Sequence, residues 1–425
     1  MASNTKKNKI LLLFCDGTGQ DGNIASMPGV PAEVASEAAS NVRWATNVLK
    51  LSRAVLPRSQ DGRLQIVFYQ RGVGSETNFS GSSVGSLVNS AFGTAVASNI
   101  RDCYAFIAQN YEAGDEICLF GFSRGAYTVR KLAGLIDKIG LLQRTDLGHF
   151  FDIWKALMNG TDPHIPPDTR TTRIRCVGVW DTVGSIIMRD GNDLLSIKDT
   201  HLPASIDCAL HALSLQENRK MFLPTLWTVP DEGLAATYGG AKQVFKQIWF
   251  PGAHSDVGGG YDTHELSDLA LFWMTGEISS FINLDFPFLQ QTISSTGYAH
   301  AWGAAPPHNA FADLPDLDIV RWIIGLETRL QSEQITAEGI FHASLAHALL
   351  SSPEINAKDM ELPTMETLRG KFGDAWKPTY APLNAFEEAC KAAWGGASKT
   401  VPAPMRAPLL APEPKFEAST ELFEA

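Results

Sequence analysis

The sequence predicts a fold of the α/β class, in which helices flank a mostly parallel sheet and a helical cap or appendage follows at the C-terminal end. Two observations support this prediction. Short apolar runs recur up to about Asp262, and each run ends in a glycine-rich turn that carries polar side chains. Between the runs lie stretches whose apolar residues have helical spacing. Strands that alternate with helices are typical of a parallel sheet whose strands end at one common edge.

Five apolar runs are predicted to form strands that are buried on both faces, because a sheet covered by helices on each side needs continuous apolar segments. The runs comprise residues 9–15, 64–69, 116–120, 174–179 and 245–250. They end in the turns DGTG, QRGVGS, GFSRG, WDTVGS and PGAHSDVGGG, respectively. In a parallel sheet, these turns would lie side by side.

Helices are predicted between and after these runs. Residues 41–56 and 90–111 have helical spacing, and after GFSRG the apolar positions 129, 132, 133, 136 and 139 share one helical face. The segment HALSLQENR, which contains His211, is expected to be helical too. Beyond about Asp262, helices are predicted for LSDLALFWM, IVRWIIGLETRL and GIFHASLAHALL.

The chain divides into three predicted parts. Residues 1–275 contain all the strand-end turns and form one α/β core. Residues 276–395 form the helical cap or appendage, which is rich in Trp and Phe. Residues 396–425 are rich in Pro and Ala and lack periodicity, which is typical of a flexible tail.

The composition indicates a folded protein and argues against nucleic acid as a partner. Of the 425 residues, 44% are hydrophobic and 19% are charged, which is too apolar for a disordered chain. The 35 basic and 46 acidic residues give a net charge of −11. Such an anionic surface is repelled by phosphate backbones.

The cysteines and the N-terminal residues favour a location inside the cell. Six cysteines are scattered without a C-x-x-C pair, and several lie within apolar runs, so we expect buried free thiols rather than disulfides. The segment MASNTKKNKI is followed by only five apolar residues before Asp16, which is too short for a signal peptide or a transmembrane segment. We therefore expect a cytoplasmic or other intracellular protein.

The segment Gly121-Phe122-Ser123-Arg124-Gly125 has the G-x-S-x-G pattern of a nucleophile elbow. A strand that turns sharply into a helix needs glycine on both sides of the serine, because a side chain there would clash in the strained turn. The apolar run before this segment and the predicted helix after it provide the required context. We therefore predict Ser123 as a nucleophile at a helix N-terminus.

A serine hydroxyl needs a base that removes its proton, and the base needs a carboxylate that orients it. In α/β-hydrolases these groups follow the nucleophile in the order acid, then histidine. The next strand-end acid after Ser123 is Asp181 in VWDTVGS, and the next strand-end histidine is His254 in FPGAHSDVGGGY. We therefore predict Asp181 as the acid and His254 as the base, with Asp256 as the competing acid.

The turn after the first predicted strand is the expected place for one oxyanion-hole donor, and the residue after the nucleophile supplies the other. The predicted donors are the backbone N–H groups of Gly17, Thr18 and Arg124. Asp16 is expected to orient this turn or to contact the substrate. Arg71, in the turn after the second strand, is a further candidate for substrate binding.

A metal site is an alternative interpretation of the same strand ends. Asp16, Asp181, His254 and Asp256 carry oxygen and nitrogen ligands that suit a divalent cation. The serine interpretation requires neither a metal nor another cofactor.

Several motifs in one order together resemble an uncharacterised α/β-hydrolase family that includes phospholipase effectors of the bacterial type VI secretion system. They are LLLFCDGTGQ, YQRGVGS, YEAGDEICLFGFSRGAYTVRKLAGLI, VGVWDTVGS, HALSLQENRKMFLP and IWFPGAHSDVGGGY, and they extend over about residues 9–274. The resemblance implies an α/β-hydrolase domain with a serine nucleophile and lipase or phospholipase activity. On this pattern Ser123 matches the nucleophile, and Asp181 and His254 match the motifs best placed for acid and base. Gln216 stands where an acidic residue is more frequent.

These observations predict a serine hydrolase that cleaves carboxylic esters of the lipase, phospholipase or esterase type through a Ser123, Asp181 and His254 triad and an acyl-enzyme. The alternatives are a metal-assisted hydrolase and a catalytically weak hydrolase fold that serves as a scaffold or binding module. We expect a small-molecule or lipid ester as the substrate. We expect transient contact with a lipid surface, without stable insertion into a membrane.

Overall fold

The computed structural model describes most of the chain. The described residues are 8–20, 44–73, 86–184, 194–237, 240–289, 300–314, 317–346 and 362–394, and for 86–92 only the backbone is described. The predicted tail at 396–425 and the start of the helix predicted at 41–56 lie outside these ranges.

The described strands form one sheet of eight strands in the order β2-β1-β3-β4-β5-β6-β7-β8, and all neighbouring pairs are parallel. The strands are β1 Ile10–Cys15, β2 Gln65–Gln70, β3 Glu116–Phe122, β4 Cys176–Trp180, β5 Cys208–Ser214, β6 Val244–Phe250, β7 Ile340–His342 and β8 Thr379–Ala381. This sheet confirms the predicted α/β class, and the five predicted strands correspond to β1 to β4 and β6.

Helices flank the sheet. They include α1 Asn47–Ala54, α2 Ser86–Asn110, α3 Arg124–Ile139, α4 Phe150–Met158, α5 His254–Gly258, α6 Glu265–Ile278, α7 Asp318–Ile324, α8 Met365–Phe372 and α9 Ala385–Ala393. Among the described residues, none of the helices is both long and apolar enough to cross a membrane.

The core lies on both faces of the sheet, and β1 explains why its sequence is apolar throughout. Every residue of β1 is buried. Leu11 and Leu13 pack in one apolar cluster with residues of α2 and α3. Leu12 and Phe14 face the opposite cluster, which α1 and α6 cover. Since neighbouring strand residues point to opposite faces, both sets are removed from water, and each such side chain contributes roughly 1.5–3 kcal/mol.

The segment HALSLQENR was expected to be helical, and this prediction is wrong at its start, because residues 211–214 lie in β5, Cys208–Ser214. Its Ala and Leu residues favour helix locally, but β4 and β6 pair with it on both sides. All of its residues except Cys208 are buried. Tertiary pairing therefore outweighs the local preference, and His211 becomes a core residue of the sheet.

The C-terminal region contributes strands as well as helices. The helix predicted for GIFHASLAHALL is wrong at its start, where Ile340–His342 forms β7 against β6. Strand β8 then pairs with β7. The expectation that the strands stop near Asp262 therefore fails, because the last part of the chain extends the same sheet.

The cysteines are free thiols, as predicted. Five of them are buried and Cys208 is half-buried. The Sγ atoms of Cys15 and Cys103 lie 3.6 Å apart, which is a contact between two thiols and too long for a disulfide bond.

Candidate active site

Ser123 lies in the sharp turn between β3 and α3. Its backbone has φ 58° and ψ −123°, a conformation that non-glycine residues rarely adopt. The Ser123 N–H donates to the Trp180 carbonyl at the end of β4, at 3.1 Å. The turn is therefore held against the neighbouring strand, which fits the strained conformation of a nucleophile elbow.

The two glycines of G-x-S-x-G are required by close backbone contacts. A Cβ atom on Gly121 would lie 2.5 Å from the carbonyl oxygen of Gly125. A Cβ atom on Gly125 would lie 2.1 Å from the carbonyl oxygen of Cys15 at the end of β1. Helix α3 can therefore start directly beneath the turn only because these positions lack side chains.

His254 connects Ser123 to Asp181. It is the first residue of α5, directly after the turn that follows β6. Its Nε2 lies 2.8 Å from Ser123 Oγ, and its Nδ1 lies 2.6 Å from Asp181 Oδ2. The three predicted residues, from the ends of three different strands, thus form one continuous hydrogen-bonded chain.

The surroundings of His254 fix its ring. The ring packs against Phe122, with centroids 4.6 Å apart, and against the edge of Phe222 at 5.1 Å. Its backbone N–H donates to Glu217 Oε2 at 3.1 Å. Burial lowers the pKa of His254 below its usual value, and the hydrogen bond with Asp181 offsets only part of this effect. The imidazole is therefore neutral near neutral pH.

Asp181 is buried completely and is held as a carboxylate. Its Oδ1 accepts the Ser214 N–H at 2.9 Å, and the guanidinium of Arg329 binds both of its oxygens, at 2.5 and 2.7 Å. Burial opposes the charged form, but the positive charge of Arg329 and the hydrogen bonds from Arg329 and His254 hold the pKa of Asp181 well below its usual value.

Asp256, the competing acid, pairs with a different histidine, His308. Its Oδ1 lies 2.6 Å from Nδ1 of His308. Its Oδ2 accepts the backbone N–H groups of Ala253 and His308, both at 2.9 Å. Asp256 therefore anchors the segment around His308 to the start of α5.

The predicted oxyanion turn lies beside Ser123, but its N–H groups differ in their contacts. A Cβ atom on Gly17 would lie 3.5 Å from the Ser123 Cβ. The Gly17 N–H donates to Asp16 Oδ1 at 2.7 Å, so this group already has an acceptor within the protein. Thr18 is the next residue, and its buried Oγ1 has no hydrogen-bond partner among the described residues. Arg124 is the first residue of α3, where a backbone N–H has no acceptor within the helix.

Asp16 holds this turn through hydrogen bonds from three different residues. Besides the Gly17 N–H, it accepts the Tyr69 hydroxyl at 2.5 Å and the Thr46 hydroxyl at 2.9 Å. Arg71, the other predicted substrate contact, is an exposed residue, and its carbonyl accepts a hydrogen bond from Asn99.

The structure does not assemble the alternative metal set of Asp16, Asp181, His254 and Asp256. Asp16 binds the first turn, Asp181 binds Arg329, and Asp256 binds His308. Among the described residues, no group of three or more His, Cys, Asp or Glu side chains is arranged to hold a metal ion.

Three residues that complete the site could not be assigned from the sequence. Arg329 lies in the region beyond the motifs, 148 residues from Asp181. Glu217 and His211 lie in HALSLQENR, which was expected to be helical.

The Nε2 of His211 accepts the Thr182 N–H at 3.3 Å next to Asp181, and burial together with the charge of Arg130 lowers the pKa of His211 to about 3. Gln216 supports the site as well, since it accepts the Gly252 N–H just before His254.

A family model for the catalytic domain of Tle1-like phospholipase effectors of the type VI secretion system matches residues 9–277, well over half of the chain. The chain belongs to this Tle1-like family. The match confirms the resemblance seen in the sequence and the coarse prediction of a lipase or phospholipase family. The Tle1-like segment contains Ser123, Asp181 and His254, whereas Arg329 lies outside it.

Similar proteins match the chain over part of their length. An uncharacterised protein of Saccharomyces cerevisiae, YEL023C, is 37% identical over 210 residues, which cover 43% of this chain and 30% of the yeast protein. The Tle1 effector bound to the VgrG spike of the type 6 secretion system is 19% identical with a TM-score of 0.34, covering 60% of this chain and 51% of its own. An uncharacterised protein from Pseudomonas aeruginosa is 17% identical with a TM-score of 0.35, covering 64% of this chain and 46% of its own. The Tle1-like chain thus spans about half or less of these relatives.

Proposed function

We propose that this chain is a serine hydrolase that cleaves carboxylic esters of lipids, with Ser123 as the nucleophile, His254 as the base and Asp181 as the acid that orients it. The observation that carries the proposal is the hydrogen-bonded chain from Ser123 Oγ through both nitrogens of His254 to Asp181. The position of Ser123 in a strained turn at the start of α3 supports it. Membership of a phospholipase family points to the same reaction class.

In the proposed first half-reaction, His254 Nε2 takes the Ser123 proton while Oγ attacks the ester carbonyl. Asp181 accepts the Nδ1–H, so Nε2 carries the lone pair that receives the proton, and the carboxylate stabilises the imidazolium that forms. The tetrahedral intermediate collapses when His254 returns the proton to the departing alcohol. Water then attacks the acyl-enzyme with the same base, which releases the acid and restores Ser123.

The negative charge on the tetrahedral intermediate needs donors that are already in place. We assign this role to the backbone N–H groups of Arg124 and Thr18. Arg124 follows the nucleophile at the helix N-terminus, where the helix dipole also favours an anion. Gly17 supports the hole indirectly, because its N–H donates to Asp16 and its missing side chain leaves room for the ring of Phe122, which a Cβ atom would approach to 2.8 Å.

Two guanidinium groups near the nucleophile favour a phospholipid over a neutral ester. Arg124 and Arg219 both lie over the ring of Phe222, at 5.4 and 3.6 Å from its centroid, and this ring contacts His254. Burial and the like charge of Arg219 lower the pKa of Arg124 to about 10. Both groups therefore stay cationic at neutral pH. Arg219 is paired with both carboxylate oxygens of Glu217, at 2.7 and 2.8 Å, so we assign the contact with a phosphate next to the scissile ester to Arg124.

A substrate panel tests this function. The purified chain should release fatty acid from phosphatidylcholine faster than from a neutral glyceride with the same acyl chains, measured by mass spectrometry. Protein treated beforehand with a fluorophosphonate serves as the control and should release none. Equal release before and after this treatment would contradict the serine mechanism, and faster release from the neutral glyceride would contradict the phosphate preference alone.

As the pH is lowered, the activity is expected to be lost only below the pH range in which an ordinary histidine becomes protonated. Since burial lowers the pKa of His254 from its usual 6.5, the neutral base persists at pH values where a solvent-exposed histidine is protonated. The pH dependence of kcat/KM reports the pKa values of the free enzyme, so kcat/KM decreases as the pH falls through this lowered pKa. A profile with a short-chain neutral ester should have its acid midpoint below pH 6.5. A midpoint above that value would contradict the buried neutral imidazole.

A further inference from the structure

Arg329 is the buried group that most closely touches the proposed acid, and it comes from a part of the chain that no motif covers. We propose that Arg329 is a positioning residue of the reaction, which holds both oxygens of Asp181 in line with His254 and offsets part of the carboxylate's charge. This inference rests on the proposed function. It concerns a residue outside the segment of 9–277 that matches the family.

The contacts of Arg329 form a rigid clamp. One terminal nitrogen donates to Asp181 Oδ1 at 2.5 Å and to the Ser214 carbonyl at 2.6 Å. The other donates to Asp181 Oδ2 at 2.7 Å and to the Phe222 carbonyl at 2.8 Å. A two-point guanidinium–carboxylate pair fixes orientation as well as distance, which a single ammonium cannot do.

Arg329 connects three parts of the site whose relative positions matter for the reaction, namely Asp181, the end of β5 and Phe222. Asp181 Oδ2, which receives His254 Nδ1, is one of the oxygens that Arg329 holds. Ser214 is at the end of β5, and its N–H donates to the other oxygen. Arg329 also donates to the backbone carbonyl of Phe222, and the side-chain ring of Phe222 packs against the imidazole of His254. Removing Arg329 would therefore loosen both Asp181 and the Phe222 ring that packs against His254.

Through its contact with Asp181, Arg329 is expected to change how strongly His254 holds a proton. The charged groups that act on His254 are Asp181 and Glu217, which favour the imidazolium, and Arg219, which opposes it. His211, beside the Asp181 turn, is neutral because its pKa is about 3. Arg329 is the largest favourable influence on the Asp181 carboxylate. Without this cation, the carboxylate attracts the imidazolium proton more strongly, so His254 would become protonated at higher pH.

The test measures how fast a fluorophosphonate labels Ser123 in the full chain at different pH values. This rate can be measured before the substrate is identified. For Arg329→Met we expect the labelling rate at neutral pH to fall on the order of 10²-fold, the loss typical of a misplaced catalytic group. We also expect the acid midpoint to rise. Arg329→Lys keeps the charge but not the two-point contact, so its midpoint should stay near that of the wild type while its rate is intermediate.

A matched control separates positioning from simple stabilisation. Arg170 also donates to several carbonyls, those of Tyr111, Ala108 and Leu142, and Arg170→Met should lower the melting temperature without moving the acid midpoint. If Arg329→Met does not fold, Arg329→Lys supplies the readout through its reduced rate at an unchanged midpoint.

The outcomes are distinguishable. An Arg329→Met protein that is labelled at the wild-type rate with an unchanged midpoint overturns the role of Arg329 and leaves the proposed function intact. An Arg329→Lys protein that labels at the wild-type rate overturns the need for two-point contact. Wild-type protein that is not labelled at all removes the proposed function, and the inference with it.

Discussion

Replacing Ser123 with alanine is expected to lower kcat for ester hydrolysis on the order of 10⁶-fold, the loss measured when the nucleophile of a triad enzyme is removed. The hydroxyl oxygen of Ser123 forms the acyl-enzyme, and it lies 2.8 Å from the proposed base, His254. The rate with a chromogenic short-chain ester should fall to the background that the oxyanion donors sustain. Thermal unfolding should change little, because only one hydrogen bond is lost.

Ser344 offers a matched control for this variant. Its Oγ lies 2.7 Å from His342 Nδ1, and His342 Nε2 lies 2.7 Å from Glu387 Oε1, so it too belongs to a serine–histidine–carboxylate chain. These three side chains are buried completely, so a substrate does not reach them. Ser344→Ala should therefore retain kcat per folded molecule. Activity that persists in Ser123→Ala, or is lost equally in both variants, would contradict the assignment of Ser123.

Replacing His254 with alanine is expected to lower kcat by a similar factor, on the order of 10⁶, because without the base the serine is not activated. Fluorophosphonate labelling of Ser123 should become equally slow, since that reaction also requires removal of the hydroxyl proton. The double variant with Ser123→Ala should be no worse than either single one, because the two residues act as one unit. Steady-state kinetics of the three proteins check this expectation.

His308 is the control for His254. It forms the same kind of pair with a carboxylate, 2.6 Å from Asp256, but its contacts do not include Ser123. Its Nε2 lies 3.2 Å from the Thr263 hydroxyl. His308→Ala should reduce stability while leaving most of kcat. If it instead removes activity as His254→Ala does, the base has been assigned to the wrong histidine.

The sequence alone could predict that Ser123, Asp181 and His254 come together, because Ser123 and Asp181 directly follow β3 and β4 and His254 follows the short turn after β6. Parallel strands bring their carboxyl ends to one edge. The choice between Asp181 and Asp256 could not be made this way, since both follow strands. It depends on side-chain contacts, which the structure gives as His254 for Asp181 and His308 for Asp256.

Other features could not be predicted because they depend on distant parts of the chain. Strand β5 is rich in Ala and Leu, and only its two neighbouring strands make it extended. Strand β7 is three residues long, too short for a periodic pattern. Arg329 has no motif around it, and its contact with Asp181 spans 148 residues. Tertiary packing rather than local pattern places these residues.

The most direct test of the central claim is to treat the full chain with a fluorophosphonate at neutral pH and to identify the modified residue by mass spectrometry of its peptides. We expect one adduct per molecule, on Ser123, with its formation abolished in His254→Ala and retained in His308→Ala. Folded wild-type protein that forms no adduct, or an adduct on a different serine, would contradict the proposal that Ser123 is an activated nucleophile.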